Sequence, residues 1–309
     1  AGHERGEQAE PRPRYHFRYP GSTSNFSTRG FKGRPIHFRQ SEPEATLRTS
    51  VRKLNKKGEL RVFTRTYYRP RELSGNYYEA CFTPLIHPGQ TATARVFLPP
   101  DAPDTLQAAL YVYDDNHAQT HQAAGELLKP GAWHILTYPV PLMQDACLSE
   151  VGIVLRNMGA LWETGSFHLQ SLDWSGAPDY ETTFAKERPE TGGISQWTRL
   201  RGYWRLDDGA YHGSGLGLCE SYSGDIAWTD YTVDAEVVPL IGDHHLVNAR
   251  VQGARHGYAF GLAADGQIAL YKKDGDARQV AAAPFQWNHN TPYRLRLTVS
   301  GDTLSAAAT

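Results

Sequence analysis

Acidic side chains crowd one stretch of this 309-residue chain, at Glu220, Asp225, Asp230, Asp234 and Glu236. Cleavage of a glycosidic bond needs two carboxyl groups about 5 to 9.5 Å apart, one as acid and one as base or nucleophile. Asp234 and Glu236 share one face of a strand because side chains alternate with period two. With Glu220, Asp230, Asp234 and Glu236 as acids and His244 assisting, the chain would be a glycoside-hydrolase-like β-sandwich enzyme in its own right. The pattern E-x-D-x-x-E is absent, and carboxylates of solvated turns and outer faces are the competing reading.

Asp243, His244 and His245 form a run that could ligate a metal or exchange protons. Adjacent histidines on a strand point to opposite faces, which argues against both serving one ion. His245 falls in phase with Val247, leaving His244 as the ligand-facing member. A turn with one buried and one exposed imidazole is the favoured reading of the run.

Between Leu246 and Gln252, Val247, Ala249 and Val251 suit a core, whereas Asn248, Arg250 and Gln252 share the other face. With Tyr258 and Lys272 from neighbouring strands, this set could bind sugar hydroxyls or a phosphate. Arg offers a bidentate fork, and Asn and Gln offer donor and acceptor together. A solvated sheet face is the alternative. In LQAALYVYDD, Leu106, Ala108, Leu110 and Val112 take one face and Gln107, Ala109, Tyr111 and Tyr113 the other, making Tyr111 and Tyr113 candidate platforms for a ligand. The seven tryptophans read as core plugs at sandwich ends, with sugar stacking as the other reading.

GSGLG at 213–217 lacks the Lys-Ser/Thr of a phosphate loop. No G-x-S-x-G elbow, H-E-x-x-H pair or dinucleotide fingerprint is present, which favours binding over catalysis.

These residues need strands to position them. Gly (29), Pro (19), Tyr (17) and Trp (7) are plentiful and Met (2) is scarce, a balance suited to short strands and tight turns. Residues 1–43 read as an irregular arm with aromatic anchors at Tyr15, Phe17 and Tyr19. Residues 46–68 read as a hairpin. Strands follow at 77–83, 91–98, 106–113, 134–138, 150–156 and 166–174, each bounded by turn residues. A shift toward Pro, Gly and charge at 171–193 places a boundary near residue 178. Beyond it, GYWRLDDGAYHGSG carries the local hairpin signal, and WTDYTVDAEVVPL, HHLVNARVQG, GYAFGLAAD and QIALYKKDG read as four successive strands, half of a lectin-like sandwich. The expected fold is all-β, two jelly-roll β-sandwiches in tandem at 44–178 and 179–309. The C-terminal sandwich reads as truncated at Thr309, and the chain as a piece of something longer.

At this length two cores are expected, and no apolar run reaches the roughly 20 residues of a membrane span. Residues 1–72 carry 17 Lys/Arg against 7 Asp/Glu, and the rest 15 against 26. The basic part suits a phosphate-bearing partner, or a solvated or docking surface. No nucleic-acid-binding motif accompanies it, so nucleic acid is not expected. Three scattered cysteines, Cys81, Cys147 and Cys219, indicate neither zinc site nor disulfide framework. They lean toward a reducing, cytoplasmic compartment and leave localisation open.

The block FAKERPETGGISQWTRLRGYWRLDDGAYHGSG, with WTDYTV, VVPLIGDHHLVNARVQGARHGYAFGL and ALYKKDG, resembles the C-terminal accessory region of bacterial ADP-ribosylglycohydrolase-family proteins, best over residues 180–309. The same motifs are similar to concanavalin-A-like domains of laminin-G and 3-keto-disaccharide hydrolase type, and residues 75–175 resemble a galactose-binding-type jelly roll. That family's two magnesium ions sit in an all-helical domain whose ligands match no position here. The resemblance thus implies a hydrolase parent and a non-catalytic fragment. The expected role is recognition of a carbohydrate, nucleotide-sugar or ADP-ribose-like ligand beside the parent's catalytic domain, with no cofactor in this fragment and calcium in a turn left open. A docking or dimerisation scaffold is the third reading.

Overall fold

A computed structural model describes residues 13–17, 26–30, 34–36, 45–66, 68–69, 81–82, 84–187, 196–225, 227–253 and 255–309. Among them no helix occurs, hence none long and apolar enough to cross a membrane. The protein is all-β, as its composition and period-two patterning require. It divides into two compact units, residues 1–223 and 224–309.

The described strands of the first unit are β1 (Tyr15–His16), β2 (Phe26–Gly30), β3 (Arg34–Ile36), β4 (Leu47–Leu54), β5 (Glu59–Arg65), β6 (Tyr68–Arg69), β7 (Cys81–Phe82), β8 (Thr91–Leu98), β9 (Leu106–Asp114), β10 (Gln119–Gln122), β11 (Glu126–Leu127), β12 (Ala132–Pro139), β13 (Leu148–Asn157), β14 (Trp162–Ser175), β15 (Thr198–Arg201), β16 (Tyr203–Asp207), β17 (Ala210–Ser214) and β18 (Glu220–Tyr222). Two sheets form the sandwich: β12-β8-β14-β4-β3 with β1 beside β14, and β10-β9-β13-β5-β2 with β11 beside β9. Strict alternation builds the core between them. Ala92, Ala94, Val96 and Leu98 of β8 face Leu106, Leu110 and Val112 of β9 and Val151, Ile153 and Leu155 of β13. Fully buried Trp174 plugs this core and donates its indole N–H to the Leu85 carbonyl at 2.7 Å.

The strands expected at 91–98, 106–113, 134–138, 150–156 and 166–174 are present. Of that expected at 77–83, only Cys81–Phe82 lies within the described residues, and Tyr19 of the N-terminal arm lies outside them. The hairpin at 46–68 requires correction. Both arms are strands, joined by a turn in which the Asn55 carbonyl accepts from the Gly58 N–H at 3.2 Å. They do not pair with each other: β4 joins β14 and β3, and β5 joins β13 and β2. Each arm carries its own apolar row, Leu47, Val51 and Leu54 against Leu60 and Val62. Both rows are buried only if the arms separate into opposite sheets.

Residues 179–223, expected to begin the second sandwich, cluster with the first unit. Polar and aromatic contacts explain this. The Asp179 N–H donates to the Pro88 carbonyl at 2.9 Å, Tyr180 stacks on His87 at 4.3 Å, and Thr183 donates to the Asp145 carboxylate at 2.9 Å. The buried Gln196 amide reaches the Ile86 and Leu148 carbonyls. The D-D-G hairpin is present as β16–β17, with positive φ at Asp208 (48°) and Gly209 (71°), the pair of left-handed residues that a type I′ turn demands.

In the second unit the strands are β19 (Tyr231–Val237), β20 (His245–Ala249), β21 (His256–Ala263), β22 (Gln267–Asp274), β23 (Asp276–Pro284), β24 (Tyr293–Ser300) and β25 (Thr303–Ala308). They make a sheet β19-β24-β25 and a sheet β20-β21-β22-β23. Leu295, Leu297 and Val299 of one pack against Val247, Phe260 and Leu262 of the other. The four expected strands exist, but β19 is not adjacent to β20. The intervening loop carries the chain across to the opposite sheet, and β23 takes the fourth place.

Candidate functional site

Of the two faces of β10-β9-β13-β5-β2, one builds the core and the other carries a set of arginine, glutamate and aromatic side chains. Because Leu60 and Val62 point inward, Glu59, Arg61 and Phe63 point outward. By the same alternation β13 presents Glu150, Gly152, Val154 and Arg156, β9 presents Ala109, Tyr111 and Tyr113, and β2 presents Arg29. Register brings them together: Arg29 opposes Arg61, Phe63 opposes Gly152, Gly152 opposes Tyr111, and Glu150 opposes Tyr113.

Arg29 grips Glu150 with both arms of its guanidinium, Nη2 to Oε1 at 2.6 Å and Nη1 to Oε2 at 3.1 Å. The same guanidinium lies over the Phe63 ring at 4.9 Å. Arg61 repeats the arrangement over Tyr111 at 4.9 Å, donating from Nε to Glu59 Oε1 at 2.7 Å. Arg156 takes the other oxygen of Glu59 at 2.8 Å and reaches Gln122 Oε1 at 3.1 Å. Three guanidinium planes are thus held in fixed orientation by carboxylates at their edges, two of them also by aromatic rings beneath.

Beneath them the layer is dry. Tyr111 is 0% and Glu150 7% exposed, and Phe63, Ala109, Tyr111 and Val154 form a small apolar cluster on this outer face. The Arg29 side chain stays 53% exposed. Burial, reinforced by the negative charge of Glu150, pushes the Tyr111 hydroxyl well above its ordinary value. That hydroxyl lies beside Glu150 without a hydrogen bond of regular geometry. Burial alone would raise Glu59, but the hydrogen bonds from Arg61 and Arg156 outweigh it and hold the carboxyl below its usual range. For Arg29, burial pulls down and the Glu150 hydrogen bond more than restores the charged form.

The residues expected to bind a ligand are placed as follows. Tyr113 is half-buried on this face, and Tyr111 lies beneath Arg61, fully covered, so it supports the face instead of serving as an open platform. Asn248, Arg250, Gln252, Tyr258 and Lys272 do not form one row. Asn248 shares the outer face of its sheet with Tyr271, whereas Tyr258 and Lys272 lie in register with Ala249 on the inner side. Arg250 leaves the strand in a left-handed conformation (φ 50°), which breaks the alternation before Gln252. Its N–H donates to the Tyr231 hydroxyl at 2.5 Å and its side chain to the Thr229 carbonyl at 2.8 Å, so it braces the turn before β19. His244 packs on Tyr271 at 6.1 Å. His245 faces inward with Val247 against Trp287, and burial lowers its basicity.

The alternative acids lie in both units and are engaged as follows. Glu220 is buried in the first unit with Arg201 3.9 Å away, and it helps burial raise the Tyr222 hydroxyl. In the second unit, Asp230 accepts from the Gly301 N–H at 2.6 Å, and Asp234 accepts from Arg294 and Arg296 at 2.6 and 2.8 Å. The Arg294 hydrogen bond keeps Asp234 ionised below the ordinary carboxylate range. Asp234 and Glu236 do share the exposed face of β19, where Arg294 and Arg296 lie opposite. Among the described residues no group of three or more His, Cys, Asp or Glu is placed to hold a metal ion.

Arg29, Arg61, Phe63, Glu150 and Arg156 went unread in the sequence. Their signal was the complement of the core rows in FSTRG, LRVFTR and SEVGIVLRN. It becomes a site only once β2, β5 and β13 are known to be neighbours.

No family model matches this chain, and no curated protein matches it. Solved structures do. A structure of carbohydrate-binding modules from the β-sandwich superfamily is 15% identical with a TM-score of 0.36, covering 53% of this chain and 62% of its own. This chain therefore spans less than two thirds of that relative. The C-terminal family 22 carbohydrate-binding module of Clostridium thermocellum Xyn10B is 14% identical with a TM-score of 0.33, covering 53% and 93%. The N-terminal CBM22-1–CBM22-2 tandem domain of Paenibacillus barcinonensis Xyn10C is 13% identical with a TM-score of 0.32, covering 95% and 86%.

Proposed function

We propose that the first sandwich is a non-catalytic module that binds a carbohydrate chain along the outer face of β10-β9-β13-β5-β2. The observation that carries this reading is the Arg29–Glu150 pair, bidentate and stacked on Phe63. Sugars present vicinal hydroxyls that planar forks match in pairs, and a site built on a rigid sheet orders few groups on binding. Gln122 and Thr120 at the β10 edge, each already bonded to an arginine of the face, extend the polar surface. In the second unit His244, Asn248 and Tyr271 offer a smaller surface of the same kind.

The finer reading, an ADP-ribose-like ligand and a parent hydrolase of ADP-ribosylglycohydrolase type, draws on the resemblance of residues 180–309. Affinity electrophoresis of the full chain in gels containing soluble glycans tests the proposal. Retardation that is abolished by Arg29→Ala is expected. Retardation unchanged in that variant would remove the face from the reading. An ADP-ribose titration by calorimetry tests the finer alternative.

A further inference from the structure

Guanidinium groups outnumber carboxylates on this face, and each carboxylate oxygen already accepts from an arginine. Among the outward side chains of β2, β5 and β13, the three arginines Arg29, Arg61 and Arg156 share two glutamates, Glu59 and Glu150. Both oxygens of Glu150 are taken by Arg29. One oxygen of Glu59 is taken by Arg61 and the other by Arg156. Each guanidinium carries five N–H donors and no acceptor, so what these arginines still offer a ligand is donors and positive charge.

The two arginines at the centre of the face are close neighbours. Arg29 and Arg61 are direct register partners across β2 and β5, and like charges opposite each other destabilise an antiparallel pair. The molecule retains that repulsion and turns the two groups toward different glutamates.

On these grounds, and resting on the carbohydrate reading above, we infer that the ligand is an acidic glycan. Its sugar carboxylates, or other anionic substituents, sit against the row Arg29, Arg61 and Arg156. A carboxylate offers a guanidinium edge two charged acceptors in one plane, a charge-assisted pair that two neutral hydroxyls do not supply. Arg156 is the specificity-determining member, because a ligand carboxylate can displace the exposed Gln122 amide from its Nη2 and no aromatic ring among the described residues fixes it from beneath.

The test is binding of the full chain, at about 0.15 M salt where surface charge is screened beyond roughly 8 Å, to polygalacturonate and to the same polymer fully methyl-esterified. A neutral β-glucan and a single-stranded oligodeoxynucleotide complete the set. Polygalacturonate is expected to bind about tenfold or more tightly than its ester, one bidentate pair's worth of discrimination. Arg156→Gln should reduce that preference several-fold at an unchanged melting temperature, and Arg156→Lys should restore part of it. Equal affinity for the acid and the ester, or preference for the neutral glucan, would overturn the acidic-glycan inference and leave the carbohydrate reading intact. Binding to none of the three glycans would overturn both. Oligonucleotide binding as tight as polygalacturonate would show a general polyanion surface and sink the inference as well.

Discussion

Gly152 stands in register with Phe63, and a Cβ added to it would lie 2.6 Å from the Phe63 Cβ. The absent side chain lets Phe63 and Tyr111 flank Gly152 from either side, giving Arg29 and Arg61 their aromatic supports. Gly152→Ala overpacks this layer, and a loss of about 1 to 3 kcal/mol is expected, together with weakened glycan binding. Denaturant unfolding checks the first effect and affinity electrophoresis the second. A variant as stable as the parent would show that the layer has slack.

Glu150→Gln keeps the shape of the side chain and removes its charge. The Arg29 guanidinium, half-exposed, is then solvated but no longer held in plane. A stability loss of about 1 to 2 kcal/mol is expected, smaller than for a fully buried pair, with a fall in glycan affinity of about tenfold. A larger loss of stability than of binding would make Glu150 a structural residue only.

His168, buried between Thr46 (3.0 Å) and Ser166 (3.1 Å), has both ring nitrogens engaged, one as donor and one as acceptor. Burial, with help from Arg48, lowers its pKa from 6.5 to about 4. The native ring stays neutral while the unfolded ring takes up a proton, so the unfolded state binds more protons between those values. Stability is therefore full above pH 6.5 and falls as the pH drops toward 4, by on the order of 3 kcal/mol. His168→Gln should flatten this part of the pH profile, as measured by urea unfolding across that window. An unchanged slope would exclude His168 as its source.

Arg250 braces the turn before β19, and no ligand role is needed to explain its bonds. Arg250→Ala should lower the stability of the second unit by about 1 to 2 kcal/mol and leave glycan binding by the first unchanged. Calorimetric unfolding with and without glycan separates the two effects. Loss of binding with unaltered stability would return Arg250 to the ligand site.

Period-two alternation was enough to show the fold class. The rows Leu106, Ala108, Leu110, Val112 and Val247, Ala249 are buried as written in the chain, because a strand's two faces differ in polarity whenever one of them is covered. The Asp208–Gly209 turn was equally local, since left-handed φ is demanded within two residues. Pairing was not legible. Leu47–Leu54 and Glu59–Arg65 resemble two arms of one hairpin, and only the competition between sheets for their apolar rows sends them apart. Nor was the cluster of Arg29, Arg61 and Glu150, whose members are separated by as many as 121 residues. A one-residue conformational change at Arg250 likewise ended an alternation that its residue types continue. Side-chain chemistry and periodicity are properties of neighbours along the chain. Which strands lie side by side depends on burying every apolar row at once, and only the tertiary structure resolves that.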